Sequence, residues 1–362
     1  MGSHFETVVD KILEGRVVPF LGAGVNLCDR PRKDDKAKPG FPHGKANRDP
    51  SFRWSPAQNQ YLPSGSELAE YLADEFRFQA DLRRQLATCA AGHAGHDKGD
   101  FHTVEGKPCA VVTYTTRPAL DLARVSEFGG LDRGPGDLNE TLHNLFAKDY
   151  PGTTVHRALT SLPMPAPRAQ RACDKYPLIA TTNYDDCMER AFPALQEFDL
   201  VFYDPEDEPR GRFWHRAPGT DPSAIKEPND YTYPFCEHRP VILKLHGSVG
   251  RDNRDHEGFV ITEDHYIEYL AEEALEKLLP ITLLDKLRND HLLFLGYSLK
   301  DWNFRVFLRR LKKERRTRRN SWAIMLEADE TDEKFWTENK VEIKEMALDT
   351  YMTELLGKLA FR

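Results

Sequence analysis

The chain has no long hydrophobic run: its apolar stretches stop well short of the roughly 20 residues that cross a bilayer, which excludes a membrane-spanning helix from the reading. Cysteine is scarce. The six residues at 28, 89, 109, 173, 187 and 236 include no Cys-x-x-Cys pair, and none follows Cys236. That excludes both a secreted disulfide framework and a paired-cysteine zinc site. Positive charge is not in excess, since 50 Lys and Arg stand against 58 Asp and Glu for a net charge of −8. A nucleic-acid partner for the whole surface is excluded with it, and only local patches remain open. There is no internal repeat and no leader-like apolar segment. Met-Gly-Ser-His-Phe-Glu runs directly into the amphipathic residues 8–13, so the expected location is cytoplasmic.

What is present is the composition of a globular protein. The 362 residues are 40% hydrophobic and 30% charged, enough to bury a full α/β core and carry a smaller lobe. Gly15-Arg16-Val17-Val18-Pro19-Phe20-Leu21 reads as a buried strand that breaks at the turn Gly22-Ala23-Gly24. Residues 29–63 are polar, without period, and read as a long surface loop. Ser64-Gly65-Ser66-Glu67 ahead of Leu68, Leu72 and Phe76 predicts a capped helix. Residues 88–118 read as a second loop, and 135–150 return to helical spacing. The expectation is one domain over residues 1–362, with 29–150 forming a loop and helical insertion lobe within it.

Regular α/β alternation follows. A strand over 176–183 runs into a helix near Asp185. A strand over 240–245 ends in His246-Gly247-Ser248, and one over 291–295 ends in Gly296-Tyr297-Ser298. After a basic helix, strands are predicted at 322–326 and 341–343, and a closing amphipathic helix at 348–359. Residues 309–319 hold eight Lys or Arg around one Glu. This is either a solvated helix end that complements the macrodipole or a docking surface for an acidic partner or nucleic acid. Cys89, His93, His96 and His102 lie close together, but the glycines and alanines around them read as a loop, and no metal is expected.

Four strands therefore end in small or polar residues, and open parallel sheets bind ligands at the carboxyl ends of their strands. Gly22-Ala23-Gly24 falls short of a full Gly-x-Gly-x-x-Gly fingerprint, yet its glycines permit close approach to a pyrophosphate. Simpler readings stand beside this. Asn183 and Asp185 are favoured helix caps, Asp301 can cap a helix starting at Trp302, and a His-Gly after a strand can be a plain turn.

Taken in order, Gly22-Ala23-Gly24, Thr181-Thr182-Asn183-Tyr184-Asp185, Lys244-Leu245-His246-Gly247-Ser248 and Gly296-Tyr297-Ser298-Leu299-Lys300-Asp301 resemble the sirtuin family, and more closely its bacterial NAD-hydrolysing, antiphage branch. The resemblance runs over about residues 8 to 360, outside loops 29–63 and 88–118. It implies a Rossmann-like parallel sheet of the sirtuin type that takes NAD as substrate. Gly22, Ala23 and Gly24 would lie against the pyrophosphate, with Thr182 and Gly247 also on the NAD-binding surface. Asn183 and Asp185 would face the nicotinamide ribose and the reacting water, and His246 the ribose hydroxyls. Gly296 and Ser298 would lie near the adenosine half. Breaking the nicotinamide–ribose bond builds oxocarbenium character on C1′, so the site must hold the sugar and stabilise partial positive charge. An imidazole of ordinary pKa, about 6.5, suits His246 as general base or hydroxyl partner. Asn183 does not titrate, so its role would be positional.

The sequence also departs from the family. Deacylase sirtuins hold a structural zinc on paired cysteines after the catalytic histidine. Here Phe259-Val260-Ile261-Thr262-Glu263-Asp264-His265-Tyr266 leads into a helical stretch instead. Where deacylases continue Gly-Ala-Gly with Ser and a Gly-Ile-Pro-Asp-Phe-Arg run, this chain has Val25-Asn26-Leu27. The resemblance then implies water as acceptor: NAD hydrolysis to nicotinamide and ADP-ribose by an NAD-depleting effector of antiviral defence. Protein ADP-ribosylation or deacylation at the same site, and NAD sensing without turnover, remain as alternatives. Control by assembly is expected, through a homo-oligomer and a partner such as a HerA-type ATPase, with no membrane and no direct nucleic-acid binding.

Overall fold

The computed structural model describes residues 3–30, 54–78, 102–104, 107–109, 120–207, 211–271, 275–297, 302–313 and 320–362. Helix α1 (His4–Leu13) precedes strand β1 (Val17–Leu21), and α2 (Gly65–Glu75) precedes a small hairpin of β2 (His102–Val104) and β3 (Lys107–Cys109). Helices α3 (Leu122–Arg133), α4 (Pro135–Phe146) and α5 (Thr154–Thr160) follow. Next come β4 (Leu178–Thr181), α6 (Cys187–Ala191), β5 (Asp199–Asp204), β6 (Arg212–Arg216), β7 (Ser223–Ala224) and β8 (Val241–Lys244). A hairpin of β9 (Gly247–Ser248) and β10 (Gly258–Phe259) leads into α7 (Glu263–Ala271) and α8 (Ile281–Asn289). The chain closes with β11 (His291–Leu295), α9 (Trp302–Lys313), β12 (Ser321–Met325), α10 (Glu330–Glu338), β13 (Val341–Glu345) and α11 (Leu348–Leu359).

Nine strands form one sheet in the order β13-β12-β11-β1-β4-β8-β5-β6-β7. It is parallel from β13 to β5, with β6 and β7 added antiparallel at one edge. This is the Rossmann-like α/β architecture expected from the sequence. From β1 the chain lays β4 on one side, skips a place to build β5, β6 and β7, fills the gap with β8, and then crosses to lay β11, β12 and β13 on the other side. The order reverses between β1 and β11, and at such a switch point the connecting loops part to leave a crevice.

The strands are apolar on both faces because both are covered. Val18, Phe20, Leu243 and Phe294 face α8, α9 and Trp336 of α10. Val17, Leu21, Ile179 and Ile242 face α1, α5 and α11. Pro19, which has no N–H to give, is tolerated in β1 because pairing with β4 registers only Phe20 and Leu21. A third cluster joins α2, α3 and α4 to Tyr184, Cys187 and Phe259, so the helical lobe rests directly on the loop after β4.

Three differences from the sequence reading stand out. Trp54 and Leu62, inside the expected surface loop 29–63, are buried in this third cluster, and Trp54 Nε1 donates to the Tyr61 carbonyl at 3.0 Å. Isolated apolar residues without a period hide such anchoring. The helix near Asp185 is only the five-residue α6. The edge strands β5 to β7 had no counterpart among the predicted elements. Among the described residues no helix is long and apolar enough to cross a membrane.

Candidate active site

The strands β11, β1, β4 and β8 are neighbours, and their carboxyl ends lie side by side. Leu21 registers with Leu295 on one flank and Thr181 on the other, and Thr181 registers with Lys244. The turn Gly22-Ala23-Gly24 is knitted to the β11 loop. Gly22 N–H donates to the Leu295 carbonyl and Gly24 N–H to the Gly296 carbonyl, both at 2.9 Å. A Cβ on Gly24 would sit 2.6 Å from Gly296 O, and one on Gly296, whose φ is +73°, would sit 2.4 Å from Val25 N. The glycines are therefore required first by backbone packing on backbone. Tyr297 seals the same junction: its hydroxyl donates to the Leu21 carbonyl at 3.0 Å, lies 2.9 Å from Thr182 Oγ1, and its ring stacks on Phe304. The flank of the turn bearing the missing Cβ atoms is thus filled by the β11 loop and Tyr297.

Asn183 is fixed by two contacts. Its N–H donates to Thr181 Oγ1 at 3.0 Å and its Nδ2 to the Gly22 carbonyl at 3.3 Å, while Oδ1 takes no hydrogen bond among the described residues. Asp185 is held at both oxygens, Oδ1 by Cys187 N–H at 3.0 Å and Oδ2 by Asn26 Nδ2 at 3.2 Å. Asp185 stands one residue before the α6 N-cap, Asp186, and takes the N–H of Cys187 in an Asx-type turn and not as the cap itself. Beneath this loop lies Lys244, fully buried, donating to the carbonyls of Tyr184 (3.0 Å) and Asp185 (2.6 Å) and to Glu189 Oε1 (2.9 Å). Burial pushes the Glu189 carboxyl pKa up while Lys244 opposes that shift. His156 of α5 is also near. Burial lowers its pKa against the pull of the Asp185 charge, and its Nδ1 accepts from Thr153 N–H at 3.0 Å.

His246 leaves β8 two residues beyond Lys244, as Asn183 leaves β4 two beyond Thr181, so the two sit on adjacent strand ends. The His246 side chain is 3% exposed and lies edge-on to Tyr266 and Tyr269 of α7. Its ring makes no hydrogen bond among the described residues, and burial pushes its pKa down to about 3. This corrects the expectation of an ordinary imidazole: a base that weak is a poor acceptor of a substrate proton at neutral pH, and the ring is better suited to a hydrogen bond as a neutral group. Gly247, at φ +99°, would drive a Cβ to within 2.0 Å of Gly258 O, so glycine is what lets β9 and β10 close up behind the histidine.

The depressed pKa has a measurable consequence. The unfolded chain protonates His246 near the ordinary value of about 6.5, whereas the folded chain keeps it neutral down to about 3. Between those values the unfolded state carries the extra proton. This contribution to stability is therefore complete above the unfolded pKa and is lost as pH falls through the window. The melting temperature of wild type relative to His246→Phe is expected to fall steadily from pH 7 to pH 4.5. A difference independent of pH would mean that the folded protein protonates the ring.

Residues 177–344 match the family model of the SIR2-like domain. The match supports a sirtuin-like family for this chain, and a SIR2-like domain is typically an NAD-using enzyme. It spans a little under half of the sequence and contains Asn183, Asp185, His246 and Gly296. The Gly22-Ala23-Gly24 turn lies outside it and joins the SIR2-like part through the fold, because β1 inserts between β4 and β11. No curated protein matches the chain.

The structure brings Gly22, Ala23, Gly24, Thr182, Asn183, Asp185, His246, Gly247 and Gly296 to one end of the sheet. Ser298 lies outside the described residues, as do Asp301, Cys89, His93 and His96. No group of three His, Cys, Asp or Glu side chains able to hold a metal occurs among the described residues. Sequence reasoning gave no role to Asn26, His156 or Tyr297, nor to Lys244 beyond its place in a motif. Lys244 alone carried a signal, a charge inside the run Val241-Ile242-Leu243-Lys244-Leu245.

Proposed function

We propose that the chain hydrolyses NAD at the nicotinamide–ribose bond, giving nicotinamide and ADP-ribose. The observation that carries this reading is the pairing of two neutral, buried polar side chains, Asn183 and His246, on adjacent strand ends beside the switch point of a SIR2-like sheet. A short hairpin follows Gly247 where a deacylase would need the cysteine-held lobe that helps shape an acyl-lysine cleft, and this favours water as acceptor. In the reaction the C1′–N bond breaks with its electron pair leaving on nicotinamide. A water oxygen bonds to C1′ and its proton passes to solvent. The amide of Asn183, pinned by the Gly22 carbonyl, orients the sugar or the water without changing charge. The fixed Asp185 carboxylate offsets positive charge developing on the ribose, as preorganised groups do in a site shielded from bulk water. His246, held neutral, serves as a hydrogen-bond partner for a hydroxyl.

The test is nicotinamide and ADP-ribose release by the full chain from NAD, with and without activating partners. Wild type is expected to release both, and Asn183→Ala to lose roughly a hundredfold or more in rate, the scale of removing one preorganised polar group, while remaining folded with a loss of about 1–3 kcal/mol from the abandoned Gly22 carbonyl. Expression in bacteria is expected to deplete cellular NAD with wild type and not with Asn183→Ala, as an antiviral effector acting through NAD loss requires. Label from NAD appearing on protein rather than as free ADP-ribose would favour transfer, and no nicotinamide release under any condition would exclude the enzyme.

A further inference from the structure

We infer that Asn26 is a positioning and substrate-contacting residue of this site: its amide N–H holds the Asp185 carboxylate while its carbonyl oxygen offers a buried acceptor to an amide or hydroxyl proton of the substrate. The inference rests on the reading of the site as NAD-cleaving. Asn26 stands in the single 3-10 turn Ala23–Leu27 that follows β1, and its side chain is almost wholly removed from solvent. Nδ2 donates to Asp185 Oδ2 at 3.2 Å, and Oδ1 is buried without a hydrogen-bond partner among the described residues. Turning the amide over would set two acceptors against each other at that distance, so the chemistry fixes which atom meets Asp185. A buried acceptor left open is costly in a native fold, and a ligand that brings the donor removes that cost.

The residue is also held from behind. Its backbone carbonyl accepts from Arg30 Nε at 3.3 Å. The Arg30 guanidinium pairs with both carboxylate oxygens of Glu67 at 3.0 Å, donates to the Leu62 carbonyl, and lies over the Tyr61 ring. The helical lobe thus anchors the turn that carries Asn26, and the side chain has little freedom to turn away from Asp185.

The charge at this spot selects which part of NAD it meets. A carbonyl oxygen beside a carboxylate repels phosphate, which at neutral pH offers only acceptors, and welcomes a group that donates. The donors in NAD nearest the scissile bond are the nicotinamide carboxamide N–H groups and the ribose hydroxyls. Asn26 and Asp185 therefore mark the nicotinamide riboside end of the site, with the pyrophosphate lying away from them.

The experiment compares wild type, Asn26→Ala, Asn26→Ser and Asn26→Asp in the full chain. In Asn26→Ala, kcat/KM for NAD is expected to fall about tenfold or more, the effect of losing one buried hydrogen bond and its hold on a charged neighbour. Affinity for ADP, which lacks the nicotinamide riboside, is expected to stay within about twofold by calorimetry. Asn26→Ser provides the smaller polar alternative should the alanine variant fail to fold. Asn26→Asp sets a second carboxylate against Asp185. Its activity relative to wild type is expected to rise as pH falls from 8 to 5, because one of two adjacent carboxylates then takes up a proton and restores a donor between them. That profile reports the hold on Asp185, and the contrast between NAD and ADP separates contact with the substrate from a purely structural role. Unchanged kcat and KM in Asn26→Ala, or equal weakening toward NAD and ADP, would overturn the inference while leaving NAD cleavage standing. A wild type that releases no nicotinamide would remove both.

Discussion

Lys244→Met is expected to lower folding stability by about 3–5 kcal/mol, the cost of removing one partner from a buried ion pair. Methionine fills nearly the same volume, so the loss is electrostatic and not a cavity. It abandons Glu189, whose carboxyl pKa burial pushes up and Lys244, at 2.9 Å, pulls back down. It also leaves the Tyr184 and Asp185 carbonyls without the ammonium donors they now receive. Urea unfolding measures the effect. Adding Glu189→Leu is expected to recover part of the loss, since the abandoned carboxylate is then gone, but not the part owed to the two carbonyls. Those carbonyls belong to the loop that presents Asp185, so the double variant should fold better than Lys244→Met and still turn over NAD poorly. A Lys244→Met protein as stable as wild type would mean that water reaches the ammonium and that the ion pair contributes little.

That lysine also shows where the sequence was legible and where it was not. β1, β4, β8 and β11 were readable because each is an apolar run cut off by glycine or a polar residue, and strands buried on both faces have that composition. The rule that ligands sit at carboxyl ends then gathered Gly22, Asn183, His246 and Gly296 without any contact being known. A lysine in the middle of such a run announces a buried carboxylate partner, although nothing local names Glu189. Other relationships were out of reach because they depend on pairings across the chain. Asn26 and Asp185 are 159 positions apart, and neither a capping preference nor a turn signal connects them. The His246 pKa is set by burial, and the tyrosines of α7 that pack edge-on to it follow it by some twenty residues, beyond the β9–β10 hairpin. The edge strand β6 escaped because its charged ends and half-exposed face resemble a loop.

Gly296→Ala is expected to be the more damaging of two outwardly similar glycine substitutions. At φ +73° a Cβ is strained whatever surrounds it, and here it would also meet the backbone of Gly24 and Val25 inside van der Waals distance, so the β1 and β11 loops must move apart. Backbone strain of this kind costs on the order of 1–3 kcal/mol. The movement would break the bond from Gly24 N–H to the Gly296 carbonyl, which sets the turn where Asn183 meets the Gly22 carbonyl. Nicotinamide release should therefore fall further than stability alone would require. Gly357→Ala, on the exposed side of α11 with nothing near its Cβ, should instead gain about 0.5–1 kcal/mol and leave turnover unchanged. Should Gly296→Ala match wild type in melting and in NAD turnover, the two loops would not be locked together as the backbone contacts indicate, and the glycines of the turn would be free to answer to a ligand alone.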